Sequence, residues 1–422
     1  AGSLNLVMGY AGVLSIMHAA FFGIGAYGAA RVVVSLGVPF PLDLVAGFVL
    51  TALSSVAIGA SILRLGEWYV IMSTLALQLV LSSVFLNWQD ATGGSYGIYG
   101  IPRPFVFGVQ VISLPGFALL AAVVATICFL FLWLVVHSPF GLALKGLRDD
   151  DLLAQSFGKD VLRQRLVSLA LGSGLAGVAG GVYARFVGYI DPSTFDISQS
   201  LSIITILVVG GLGNLWGALG GSILLVTVPQ VLRFTPVTSQ AVANIQLLLF
   251  GVLLIVVLRL RPEGLIKERP AVRAGAAADP AASGDRRGFQ RLDHPSLEMA
   301  HVDGADHPSH EGALLEIDRV YKSFGGLMAV NNLSLSILPG IVTAIIGPNG
   351  AGKTTLFNMI TGYLQPDRGR ISYDGHDLTH MRPFELARLG IARSFQDVRV
   401  FPKMTVLENL VLALQGDDIE RL

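Results

Sequence analysis

The chain has 422 residues, of which 53% are hydrophobic and only 14% charged, against roughly a quarter in an ordinary soluble protein. Its 29 basic and 29 acidic residues balance, which removes the electrostatic case for a nucleic-acid partner. A lone cysteine, Cys128, lies in an apolar run and excludes both an intrachain disulfide and a cysteine metal cluster.

The opening "AGSLNLVMGY" has neither an initiator Met nor the basic region of a signal peptide, so the chain is expected to begin inside a longer gene product. Residues 1–261 read as a membrane domain. A span needs roughly 20 mostly apolar residues, and candidates fall near 4–33, 42–63, 67–88, 114–137, 166–188, 201–213, 216–233 and 241–258. About eight α-helical crossings are therefore expected. The sixth is short. The glycines of "VVGGLGNLWGALGG" (Gly210, Gly211, Gly213, Gly217, Gly220, Gly221) mark it as a broken or re-entrant helix, tolerated at membrane depth only where protein or a water cavity covers the backbone.

Orientation follows the Lys/Arg bias. The loop 138–165 carries Lys145, Arg148, Lys159, Arg163 and Arg165, and the tail after 258 carries Arg259, Arg261, Lys267 and Arg269, so both are expected in the cytoplasm. Loop 89–113 has only Arg103 and loop 189–200 has no Lys or Arg, so both read as external. The loop 138–165 also places Leu142, Leu144, Leu147, Leu152, Leu153 and Phe157 at near-helical spacing among its charges. That describes an amphipathic helix pair, docked on a cytoplasmic partner or lying at the lipid surface.

Small residues at four-residue spacing (Ala11, Ser15, Ala19, Gly23, and again Ser173, Gly177, Gly181) predict flat helix faces for close packing, with a substrate path beside them as the other possibility. His18, Gln78, Asn87 and Asn214 are polar positions in or at the ends of spans. They are candidates for a functional site or for interhelical hydrogen bonds.

Residues 262–312 are rich in Ala, Pro, Gly, Asp and His and cannot bury enough apolar surface to fold, so they read as a flexible linker. Four histidines there, His294, His301, His307 and His310, are spaced irregularly, as in a solvated linker rather than a metal tract. From 313 to 422 short strands and helices alternate as in a soluble α/β domain. "IVTAIIGPNGAGKTT" predicts an apolar strand, a glycine-rich turn and a helix start, with G-x-x-x-x-G-K-[ST] at Gly347 to Thr354. Its glycines let backbone N–H groups close around phosphate oxygens, the helix N-terminus adds partial positive charge, Lys353 reaches the outer phosphates and Thr354 ligates Mg²⁺. Nearby, Phe324 precedes a glycine pair and Gln396 stands at an expected strand end in "GIARSFQDVRVFPKMTVLENL".

With those motifs in view, residues 313–415 resemble the ATP-binding subunit of ABC transporters. They look most like the first ATPase of Liv-type branched-chain amino acid importers, on "GIARSFQ" and "VFPKMTVLENL". The membrane part resembles the LivM-like permease of those systems, on "LNLVMGYAGVLSIMHAAFFGIGAY", "ATGGSYGIYGIP", "SPFGLALKGLRDDD" and "VVGGLGNLWGALGG". The resemblance implies a P-loop ABC-type ATPase fused behind a permease in the plasma membrane, with the ATPase in the cytoplasm. It implies ATP and Mg²⁺ as cofactors. It implies Phe324 as the adenine-stacking aromatic, and Gly347, Asn349, Gly350, Ala351, Gly352, Lys353, Thr354 and Thr355 as the phosphate and Mg²⁺ site. Gln396 would touch Mg²⁺ and the lytic water, and loop 138–165 would be the coupling segment. Expected partners are a second, LivH-like permease, a LivF-like ATPase, an external binding protein and membrane lipid. No signature loop, Asp-Glu strand end or switch histidine follows Gln396. The chain is thus expected to be a fragment that binds ATP and by itself hydrolyses essentially none. Import of urea or a short amide is the alternative within this class, and a nucleotide-gated membrane protein without pump activity is the alternative outside it.

Overall fold

The computed structural model describes residues 1–106, 109–232, 248, 251–253, 255–257, 259–261, 264–266, 314–395 and 399–414. They fall into two compact units. The first holds the described residues of Ala1–Asp151, Asp160–Ala271 and Phe401–Leu412. The second holds those of Leu152–Lys159, Val272–Val400 and Ala413–Leu422.

The first unit is helical. A short helix α1 (Gly2–Leu4) continues as a π-helical segment (Asn5–Tyr10) and is followed by α2 (His18–Leu36), α3 (Leu42–Ile62) and α4 (Glu67–Asn87). After the short α5 (Gln89–Thr92) come α6 (Leu114–His137) and α7 (Pro139–Asp149); the next helix in the chain, α8 (Asp151–Ser156), belongs from Leu152 on to the second unit. Helices α9 (Val161–Val187), α10 (Ile197–Gly210) and α11 (Leu215–Leu232) complete the first unit. The boundaries have local causes. The Ser113 side chain caps α6 by accepting from the Gly116 N–H, Ser138 caps α7 through the Gly141 N–H, and Asp160 caps α9 through the Arg163 N–H. Pro139 stands in the first turn of α7, where its missing donor costs nothing.

Among the described residues, α2, α3, α4, α6 and α9 are long and apolar enough to cross a membrane, whereas α10 and the apolar part of α11 are shorter. The eighth expected span, 241–258, lies largely outside the described residues. The first expected span, 4–33, is not one helix. The chain is non-helical over residues 11–17, with Gly12 at φ +71°, so Ala11 and Ser15 do not share a helix face with Ala19 and Gly23. The face at Ser173, Gly177 and Gly181 does exist. A Cβ on Gly25 of α2 would collide with the Gly177 backbone, and one on Gly181 would stand 2.8 Å from Leu44 of α3. Glycine thus sets the close approach of α2, α3 and α9.

The two loops read as external meet. Strand β1 (Ile98–Tyr99) pairs antiparallel with β4 (Tyr189–Ile190), and the Tyr99 and Tyr189 rings stack at 5.6 Å. Between them in sequence, β2 (Phe105–Val106) and β3 (Val109–Gln110) form a hairpin. At that same end of the helices the Arg185 Nε donates to Asp43 Oδ2 at 2.9 Å in a buried ion pair, and Arg185 Nη1 donates to the Pro102 carbonyl.

The second unit is built on an antiparallel sheet in the order β6 (Leu327–Ile337), β5 (Leu315–Phe324), β7 (Arg368–Tyr373) and β8 (His376–Asp377). Helix α12 (Lys353–Ile360) turns Leu356, Met359 and Ile360 onto it, at i, i+3 and i+4. With Leu315, Ile317, Val320, Val330, Ile371, Leu378 and Leu386 these make the core of the unit. A short helix α13 (Pro383–Arg388) contributes Leu386. A last helix, α14 (Val406–Leu414), belongs through residue 412 to the first unit.

Candidate functional site

In the second unit, the glycine loop runs from Gly347 to the start of α12 at Lys353. Gly350 (φ +84°) and Gly352 (φ +83°) adopt left-handed backbone, and a Cβ on Gly352 would collide with the Ala329 carbonyl of β6. Those two positions require glycine for conformation, and Gly352 also for space. The Lys353 Nζ donates to the Gly347 and Pro348 carbonyls, each at 2.7 Å, so the ammonium is held across the mouth of the loop. Gly347, Asn349, Gly350, Ala351 and Thr354 are exposed, while Lys353 and Thr355 are half-buried. Exposed amides, an ammonium and the N-terminus of α12 converge there, an arrangement that suits a phosphate chain.

Phe324 ends β5 and is 50% exposed, with the Lys322 ammonium 5.9 Å from its ring centre. It is paired in register with Leu327, two residues before the Ala329 that Gly352 touches, so one hairpin supports both Phe324 and the loop. Asp367 fixes the base of that hairpin. Its carboxylate accepts from Lys322 Nζ at 2.7 Å and from the Ser323 N–H at 2.8 Å. The Lys322 hydrogen bond first, and the Ser323 bonds after it, hold its pKa down at about 2. Gln396 lies outside the described residues. The approach to it is fixed by Arg393, whose Nη1 donates to Asn358 Oδ1 at 2.7 Å and to Thr361 Oγ1 at 3.0 Å, and whose guanidinium stacks on Tyr363 and Phe395. Arg393 was not singled out in the sequence, although it sits in the quoted "GIARSFQ".

Two strands expected from the sequence are not formed. Residues 341–348 and 391–395 pair with no strand among the described residues, and Ile341, Val342 and Ile346 are exposed at 57, 80 and 91%. An apolar run encodes a preference for burial, and a strand also needs a neighbour to pair with.

In the first unit, the polar candidates gather at two helix breaks. Where the chain re-enters helix at α2, its leading amides are taken by side chains from elsewhere. Ile16 N–H donates to Thr74 Oγ1 at 3.3 Å, Ala19 N–H to Ser200 Oγ at 3.0 Å and Ala20 N–H to Gln78 Oε1 at 3.0 Å. Gln78 Nε2 in turn donates to the Phe195 carbonyl at 2.9 Å, and His18 Nε2 lies 2.8 Å from Ser3 Oγ. Inside a membrane each freed amide needs such a partner. The second break separates α10 from α11, with Gly211 at φ +123° and Gly213 at φ +75°. Asn5 closes it from both sides, accepting from the Gly213 N–H and donating to the Asn214 carbonyl, each at 2.9 Å. Asn214 Oδ1 caps α11 at the Trp216 and Gly217 amides. Leu265 and Ile266, from the segment read as linker, donate their amides to the Val209 and Gly210 carbonyls. Asn87, by contrast, bonds among the described residues within its own helix, to Ser83. Asn5, Thr74 and Ser200 were missed in the sequence, because a single polar residue in an apolar run carries no periodic signal.

The amphipathic pair in loop 138–165 is present as α7 and α8. Within the first unit, Leu144 and Leu147 are fully buried, a Cβ on Gly146 would meet Leu412 at 2.7 Å and Phe401 at 3.5 Å, and Lys403 reaches Asp149 at 3.9 Å. Within the second unit, the Tyr363 hydroxyl donates to the Leu152 carbonyl at 3.0 Å.

Against families of known proteins, residues 1–258 match the model described as branched-chain amino acid transport system / permease component, and residues 330–422 match the ABC transporter model. The chain is 27% identical over 286 residues to the branched-chain amino acid permease protein LivM of Escherichia coli K12, covering 62% of this chain and 66% of that one. It is 46% identical over 100 residues to the ATP-binding protein LivG of the same organism, and 43% identical over 103 residues to a probable LivG of Archaeoglobus fulgidus. Each of these covers 24% of this chain. The chain spans 39 and 40% of those two ATP-binding relatives.

Proposed function

The chain belongs to the branched-chain amino acid transport permease family and carries an ABC transporter domain behind the permease; from that premise we propose that it is the permease and an ATP-binding part of an ATP-driven importer of branched-chain amino acids. The division proposed is permease over 1–261, linker over 262–312 and ATP-binding part over 313–422. The observation that carries the reading is the presence in one chain of a glycine loop with Lys353 across its mouth and of the amphipathic helices α7, in the helical unit, and α8, which from Leu152 on belongs to the unit that holds the loop. ATP is the nucleotide, with Gly347, Asn349, Gly350, Ala351, Gly352, Lys353 and Thr355 around its phosphates and Phe324 under its base. Mg²⁺ would be held by Thr354, whose exposed hydroxyl is a hard oxygen donor of the kind that ion takes, and by Gln396. Bound Mg²⁺ would offset charge on the transferring phosphate. A second permease, a second ATPase and an external binding protein complete the machine, set in the plasma membrane with the nucleotide part in the cytoplasm.

The test is uptake of labelled leucine, isoleucine and valine into proteoliposomes holding this chain with those partners, with and without ATP inside or outside. Uptake that needs ATP on the side of the nucleotide domain supports the reading. Nucleotide-dependent uptake of urea or acetamide in preference to leucine would replace the substrate, and nucleotide-dependent flux down a gradient without accumulation would replace the pump.

A further inference from the structure

The segment Gly2–Tyr10 is a single helical piece with three separate attachments. At its start, Ser3 bonds His18, the first residue of α2. In its middle, Asn5 closes the break between α10 and α11 through Gly213 and Asn214. At its end, where the last carbonyls of a helix have no partner within it, the Gly9 carbonyl accepts from Arg148 Nη1 of α7 at 2.6 Å. The neighbouring Lys145 ammonium stands 5.7 Å from the Tyr10 ring centre.

The packing leaves this piece little freedom to move alone. A Cβ on Gly9 would collide with Asn5 Oδ1 and would stand 2.5 Å from the Gly213 amide, so Gly9 lies directly against the second break. A Cβ on Gly12 would stand 3.1 Å from Arg148 Cγ and 3.3 Å from its Cα, so the first break rests on the Arg148 backbone. Arg148 is oriented from its other side by Asp149, which accepts from Arg148 Nε at 3.2 Å. Helix α7 meets Phe401 and Leu412 on its Gly146 side.

We propose that Arg148 is the positioning residue that ties α7 to both broken helices, so that a displacement of α7 moves Gly2–Tyr10 and, through Ser3 and Asn5, re-aims the two breaks together. This rests on the transport reading above in one respect, that nucleotide drives α7. The mechanical link itself concerns only residues of the first unit. A guanidinium suits the role because it stays charged and offers donors to the carbonyl and the carboxylate at once.

The test uses the whole chain assembled with its partner subunits in lipid, on a Cys128→Ser background. Spin labels at Leu14→Cys and Leu212→Cys, exposed positions in the two breaks, report the distance between the breaks without nucleotide, with ADP and with ATP plus Mg²⁺. The parent is expected to show a nucleotide-dependent distance change. Arg148→Ala should abolish it and raise the ATP hydrolysed per leucine imported by roughly 5- to 150-fold, the usual range of coupling between sites, while hydrolysis itself stays within about twofold. Arg148→Lys, which keeps one donor for the Gly9 carbonyl, should recover part of the change even if the alanine variant folds poorly. An unaltered distance change in Arg148→Ala, or equal loss of hydrolysis and uptake with no recovery in Arg148→Lys, overturns the link. A nucleotide-dependent, Arg148-dependent distance change without ATP-driven leucine uptake would refute the transport reading and leave the link standing.

Discussion

The Asp43–Arg185 pair makes a sharp test of how the helical unit holds together. The two side chains are 0 and 6% exposed and bond at 2.9 Å between the start of α3 and the end of α9. The pair is not fully satisfied among the described residues, where Asp43 Oδ1 and Arg185 Nη2 have no hydrogen-bond partner. Breaking a buried pair by removing one member strands the other charge and costs about 3–5 kcal/mol, whereas replacing both by apolar groups is often neutral. Arg185 also serves the Pro102 carbonyl, and a hydrogen bond to a charged group contributes about 1.5–3 kcal/mol. Asp43→Leu should therefore cost about 3–5 kcal/mol, Arg185→Met should sit at the upper end of that range, and the double variant should lose only about 1–3 kcal/mol, chiefly for the orphaned Pro102 carbonyl. The assay is denaturant unfolding of the full chain in detergent micelles followed by tryptophan fluorescence, arranged as a double-mutant cycle. A double variant as costly as the sum of the singles would refute the argument, because the two charges would then act independently.

Lys353→Ala should weaken ATP binding by roughly 10- to 150-fold, the equivalent of one charge-assisted hydrogen bond, without unfolding the second unit; labelled-ATP binding as tight as the parent's would dismiss its role. Gly25→Ala should destabilise the helical unit by about 1–3 kcal/mol, because the new methyl meets Gly177 backbone and not a side chain that can swing away; a neutral melting shift would show the helices sit farther apart. The Asp367 pKa is lowered from 3.8 to about 2, so its contribution to stability is present above pH ~4 and is lost as pH falls toward 2. Asp367→Asn should flatten that acid limb of the unfolding curve, and an unchanged limb would move the cause elsewhere. Cysteines at Tyr96 and Ser193 should label from outside intact cells, and one at Leu152 only after permeabilisation; external labelling at 152 would invert the topology.

The parts legible in the sequence are those fixed by local chemistry. G-x-x-x-x-G-K-T specifies its own left-handed glycines, and Ser138 followed by Pro139 specifies the start of α7. Ser173, Gly177 and Gly181 are legible because four-residue spacing on a helix makes one face whatever packs against it. The break at 211–214 shows in its cluster of glycines.

The break at 11–17 was hidden for a different reason. Its composition is as apolar as its flanks, and hydropathy measures only the transfer of side chains. Whether the chain can leave helix there depends on amide partners at Thr74, Gln78 and Ser200, which are 58 to 181 residues away in sequence. The same holds for Asp43 and Arg185, 142 residues apart, each of which reads alone as an ordinary charge flanking a span. Arg148 reads as one of five bases that orient a loop, and its bond to the Gly9 carbonyl at 2.6 Å, with its contact at Gly12, shows in the structure alone. A lone polar residue in an apolar segment therefore carries most of its meaning in its partner. In a membrane that partner must exist, because an unmet backbone group costs several kcal/mol in hydrocarbon. The polar residues that sequence periodicity ignores, Asn5, Thr74 and Ser200, accordingly act with Gln78 to allow the helices of this unit to be broken.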